Sequence, residues 1–129
     1  MTALDILVWS CLLAFAQMLV AVLGAMMQVG LTPLAGNREG LPEITGWAGR
    51  ARRAHYNMLE SLVLFAALVL VAQVMGKLAD KNVLLGAQLF LGGRIAYAAI
   101  YLAGIPWLRT AVWLVSVVGL ALVFWGVTH

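Results

Sequence analysis

The sequence predicts an all-α integral membrane protein, a bundle of four transmembrane helices forming a single domain over residues 1–129. Composition is the first observation behind this. Hydrophobic residues make up 64% of the chain and charged residues 10%, whereas soluble domains carry about 45–50% apolar and about 25% charged residues. The mean hydropathy of +1.01 is the second. The third is distribution: the apolar residues gather into four runs, each near the roughly 20 residues a helix needs to cross a hydrocarbon core of about 30 Å. Only one connection between them is long.

The first span is expected from about Leu4 to Val29, roughly 39 Å of helix at about 1.5 Å per residue. Its leader, MTALD, holds Asp5 and no lysine or arginine, so a cleavable signal peptide is not expected. Gln17, Ala21, Gly24 and Gln28 share one face, which should turn inward and bond to other helices. From Gly30 to Ala48 the chain holds Pro33, Pro42, several glycines and the charges Arg38, Glu39 and Glu43, a density of helix breakers that predicts a loop. Asn37-Arg38-Glu39-Gly40 reads as a turn within it. Thr45 is placed to cap the next helix, with Trp47 at headgroup level.

The second span begins near Gly46 or Gly49 and ends near Met75. Gly76 to Lys81 is short enough to force an antiparallel return. The third span, Asn82 to about Gly104, is crowded with small residues, among them Gly86, Ala87, Gly92, Gly93 and Ala96, which let membrane helices approach closely. Pro106 and Trp107 make a corner, and Leu108 to Val127 forms the fourth span. Four spans put both termini on one side. Arg38, Arg50, Arg52, Arg53 and Arg109 gather at the other, so the positive-inside bias predicts cytoplasmic Arg-rich connections and termini outside.

That bias also accounts for the net charge of +3 and the pI near 9.5, and nucleic acid is not expected as a partner. Cys11 is the only cysteine, so no internal disulfide can form. His55 and His129 lack acidic or cysteine neighbours at ligand spacing, and no metal site is expected.

The chemistry lies in two polar helix faces. Arg53, Asn57 and Glu60, four and three residues apart, stack on one side of the second span, and Arg94, Tyr97 and Tyr101 do so on the third. A charged side chain inside a span costs at least about 2.5–3.5 kcal/mol. Glu60 and Arg94 fall at the same depth of antiparallel helices, so an ion pair between them is expected. Packing alone would need little more than that pair. The larger set, with Arg109 at the start of the fourth span, suits a small zwitterion with two carboxylates and one amine, arginines taking the carboxylates and Glu60 the amine. Glutathione has that chemistry. Arg109 could further lower the pKa of a bound thiol, although anchoring a lipid phosphate is an equally simple role for it.

The run Arg53-Ala54-His55-Tyr56-Asn57-Met58-Leu59-Glu60, an R-A-x-x-N-x-x-E pattern opening a second span, resembles the MAPEG family, the membrane-associated proteins of eicosanoid and glutathione metabolism. The Gly36-Asn37-Arg38-Glu39 loop, Gly93-Arg94-Ile95-Ala96-Tyr97 through Tyr101, Pro106 and Arg109 are similar too, so the likeness covers nearly the whole chain. The resemblance implies a bacterial-type homotrimer of four-helix protomers, in the inner membrane if the source is prokaryotic. It also implies glutathione bound between protomers near the cytoplasmic side. Arg53, Asn57, Glu60, Arg94, Tyr97 and Tyr101 would hold it, and Arg109 would stand near the sulfur. Thr110 takes the place of a serine in some relatives, and Trp113 would line a lipophilic substrate cleft. Tyr56 departs from the pattern, since many relatives carry an arginine there. The activity implied is a glutathione-dependent transferase or peroxidase acting on lipophilic electrophiles or lipid hydroperoxides. The rival is a non-catalytic trimer whose polar network serves packing or the binding of lipid or a small ligand.

Overall fold

The computed structural model describes residues 1–37 and 39–129; Arg38, in the expected turn, lies outside the described residues. Helix α1, Ala3–Val29, starts one residue before its apolar run because the leader caps it. The Asp5 carboxylate accepts from the Thr2 amide at 2.7 Å while Thr2 Oγ1 accepts from the Asp5 amide at 3.4 Å, so two amides left free by the first turn find acceptors. An acidic residue at the mouth of a membrane helix is thereby a helix start.

The connection expected to be a loop throughout contains a short helix, α2, Leu31–Ala35. Pro33 does not prevent it. Within a first turn the missing N–H would have had no helical partner, so proline is tolerated there. Thr45 is the N-cap residue of α3, Gly46–Val74, but its side chain makes no capping bond. Its backbone is held from outside: Gln28 Nε2 donates to the Thr45 carbonyl at 2.6 Å, and the Thr45 amide donates to Gln28 Oε1 at 3.0 Å. The expected inward face of α1 thus ties down the end of the long connection.

Helix α4, Lys81–Ala103, follows a tight return whose Asp80 accepts from the amides of Asn82 and Val83 at 2.8 and 3.3 Å. Gly104 ends α4 in the left-handed region at φ +83°, a conformation that glycine adopts without a Cβ clash. Helix α5, Pro106–Thr128, takes its proline in the first turn, where a fixed φ favours helix.

Four of these helices, α1, α3, α4 and α5, are long and apolar enough to cross a membrane. α4 and α5 share the largest contact, α1 packs chiefly on α3, and the two pairs meet through α3 and α4. The α4–α5 contact is backbone on backbone. A Cβ built on Gly119 would lie 2.5 Å from the Gly86 carbonyl oxygen, and one on Gly93 2.9 Å from the Ser116 nitrogen. Gly92, expected beside Gly93 as a packing residue, faces open space. At the centre Phe65 of α3 stacks on Phe90 of α4 with ring centroids 4.2 Å apart, and Met58, Val69, Val83, Ala87 and Val123 close around them.

Candidate functional site

α3 and α4 run antiparallel, and the start of α5 lies at the same end of the bundle as the start of α3 and the finish of α4. That geometry gathers the two polar faces. Arg53 Nε donates to the Tyr101 hydroxyl at 3.1 Å. The Arg109 guanidinium lies over the same ring, 4.6 Å from its centroid. Tyr101 and Tyr97 tilt against each other at 5.3 Å, and the Arg94 guanidinium covers Tyr97 at 4.3 Å. Arg94 Nη1 then reaches across to α3, donating to Asn57 Oδ1 at 2.8 Å. A continuous chain of contacts joins Arg53, Tyr101, Arg109, Tyr97, Arg94 and Asn57.

Asn57, Tyr97, Arg109, Thr110 and Trp113 line a cleft of about 140 Å³ on this side of the bundle. Thr110 spends its hydroxyl proton on the Pro106 carbonyl, 3.3 Å away, and keeps lone pairs as acceptors. Trp113 is 37% exposed and forms the outer wall.

The expected ion pair between Glu60 and Arg94 does not form. Arg94 takes Asn57 instead, one turn earlier on α3, while its Nε and Nη2 are buried without a partner. Glu60 projects outward, exposed and with no bond among the described residues. Residues three apart on a helix sit roughly 60° apart around its axis, enough to turn one toward α4 and the other away. Arg94 itself is 1% exposed, the bulkiest fully buried side chain described. An arginine buried so completely with two nitrogens lacking acceptors is costly to the fold, since each unmet donor costs about 1–3 kcal/mol.

Two further arginines, expected only as charges that set the topology, also make specific bonds. Arg50 Nε donates to the Leu102 carbonyl at 3.1 Å, binding the start of α3 to the last turn of α4, where an α-helix has carbonyls with no helical donor. Arg52 Nε donates to the Tyr56 hydroxyl at 3.1 Å. The four-residue spacing of Arg52 and Tyr56 was the available signal for the second of these bonds. His55, beside them, is 8% exposed, with Nδ1 buried and unpartnered. Among the described residues no group of three or more histidines, cysteines or acids could hold a metal ion.

A four-helix membrane protein with an arginine–tyrosine cluster at one end of its bundle is the class this geometry defines. The chain belongs to the MAPEG family, whose model matches residues 6–128. Neither a curated protein nor a solved structure matches it.

Proposed function

We propose that the protein is a glutathione-dependent membrane transferase or peroxidase for lipophilic electrophiles or lipid hydroperoxides, working as a homotrimer with the tripeptide at the seams. One observation carries this reading: Arg53, Arg94 and Arg109 converge on Tyr97 and Tyr101, and no carboxylate bonds to any of them among the described residues. Uncompensated cations at bilayer depth call for an anionic guest. Glutathione brings two carboxylates, one amine and a thiol.

The protomer's own cleft, about 140 Å³, is smaller than the roughly 300–1,000 Å³ usual for a small-ligand site. A neighbouring protomer supplies the missing walls. Glu60, exposed beside the cluster, is then available for the amine, and Arg53 and Arg94 take the carboxylates. Bound glutathione provides the nucleophilic sulfur. Arg109, stacked on Tyr101 at the cleft, holds the negative charge of the thiolate, and direct thiolate attack needs no metal. The second substrate enters from the bilayer past Trp113. In this arrangement the Arg-rich connections are cytoplasmic and the termini lie outside.

Millimolar glutathione should raise the unfolding temperature of the detergent-solubilised protein, because a ligand that binds only the native state stabilises it. Conjugation of a chromogenic aryl halide should fall by about 100-fold in Arg109→Ala, the usual scale for losing one charge-stabilising group, with the oligomer intact. Unchanged melting and turnover would favour the alternative, a non-catalytic trimer whose cluster serves packing.

A further inference from the structure

A groove opens between α1 and α4, with α3 as its floor. Its outer part, about 260 Å³, is lined by Gln17 and Val20 of α1, Ala51 and Ala54 of α3, and Ala99 and Leu102 of α4. A further part of about 430 Å³, walled by Trp9, Leu12 and Leu91, continues it, and the two share Ala16 and Ile95. Two hydrogen bonds fix its direction. Gln28, near the end of α1, meets Thr45 at the start of α3, and Leu102, in the last turn of α4, meets Arg50 at that same end. α1 and α4 therefore run outward together, and the groove passes inward from Val20 and Leu102 to Trp9 and Leu91. From Val20 to Trp9 is roughly 16 Å of helix, about half of a hydrocarbon core of about 30 Å. That is the reach of one acyl chain in one leaflet.

The outer end is basic. The bond from Arg50 Nε to the Leu102 carbonyl, at 3.1 Å, is the only one Arg50 makes among the described residues, so both Nη groups lack an acceptor. α4 has 23 residues, roughly 35 Å, slightly more than the hydrocarbon core, so its last turn lies at the membrane boundary. Trp107, 86% exposed just beyond it, suits the headgroup level. Gln17 is the groove's one polar lining residue. Expected to bond to another helix, it makes no hydrogen bond among the described residues. Its amide donors are unspent about 4.5 Å deeper than Val20, where the ester carbonyls of a lipid hang below its phosphate.

We propose that this groove binds an anionic membrane phospholipid, its phosphate on Arg50, an ester carbonyl on Gln17 and one acyl chain running inward past Ala16 and Ile95 to Leu91. The charge at the mouth selects the occupant, because a headgroup phosphate is the anion that a bilayer itself supplies at that depth. A planar guanidinium suits two phosphate oxygens. Basic pockets between membrane helices favour anionic over zwitterionic headgroups.

The test uses the whole protein, released from phosphatidylglycerol/phosphatidylcholine nanodiscs into mild detergent and weighed by native mass spectrometry. Wild-type protein should keep phosphatidylglycerol through dilution and exchange it for phosphatidylcholine poorly. Arg50→Gln should cut that retention about 10-fold. Ala16→Trp, at an exposed position where the two parts of the groove join, should cut it similarly by filling the groove while leaving the Arg50 bond in place, with helix content and oligomer mass unchanged. Val118→Trp, 51% exposed on α5 and outside the groove, should leave retention as in wild type. Retention surviving either Arg50→Gln or Ala16→Trp overturns the proposal, and so does an equal loss in Val118→Trp. Equal capture of oleate would make this a fatty-acid site and overturn it too. An oligomer that dissociates on Ala16→Trp, with no lipid retained by wild type, would assign the groove to a second copy of the chain instead.

Discussion

Arg94 and Asn57 show how one hydrogen bond decides what a buried charge costs. Among the described residues Asn57 Oδ1 is the only acceptor on the Arg94 guanidinium, at 2.8 Å. Replacing it by leucine leaves a buried cation wholly unmet, and breaking a buried partnership from one side costs about 3–5 kcal/mol. Arg94→Met removes the cation with its unmet donors and fills the space with a flexible apolar chain of similar length, so it should be far milder. Asn57→Leu is therefore expected to unfold at lower temperature than Arg94→Met in the same detergent, although both should lose glutathione affinity. An Arg94→Met variant less stable than Asn57→Leu would mean that Arg94 holds the helices together and is not kept for a ligand. The sequence revealed the depth of Arg94 but not its partner. Spacing alone ranked Glu60 above Asn57 because opposite charge is the stronger attraction, and side-chain direction, about 60° of helix rotation, decided otherwise.

At the scale of the elements, the four long helices were legible nearly to the residue because nothing competes with hydropathy over runs of this length. The first expectation, Leu4 to Val29, stands against Ala3–Val29, and the third, Asn82 to Gly104, against Lys81–Ala103. What the sequence hid was local. α2 was masked by Pro33, which reads as a breaker unless its place in a first turn is known. The small residues of α4 announced close packing without saying which of them bear it. Gly119 of α5, never singled out, meets the Gly86 carbonyl as closely as any pair in the contact, whereas Gly92 touches nothing. Gly119→Leu should force α4 and α5 apart and cost about 1–3 kcal/mol, the range for overpacking a tight interior. Gly92→Ala should change stability by no more than about 0.5 kcal/mol in either direction. Thermal unfolding of both variants, followed by circular dichroism, checks the pair; equal losses would show that the helices are not seated on Gly119.

For the whole molecule the unresolved charge is Glu60. It lies well inside α3, exposed, with no partner among the described residues, where an ionised carboxylate facing lipid would cost at least about 2.5–3.5 kcal/mol. A monomer has no reason to keep it, and Glu60→Leu would then raise the unfolding temperature. An oligomer that seats Glu60 at a seam beside the arginine cluster predicts the opposite balance. There the carboxylate meets the amine of a bound ligand, and a hydrogen bond to a charged group contributes about 1.5–3 kcal/mol. Glu60→Leu should accordingly weaken glutathione binding by roughly 10- to 100-fold, at about 1.4 kcal/mol per decade, while native mass spectrometry still finds three chains together. Titration calorimetry on the wild-type protein and this variant measures the difference. A single chain by mass, together with a more stable Glu60→Leu protein, would place the carboxylate in lipid and remove the shared site along with the assembly that completes it.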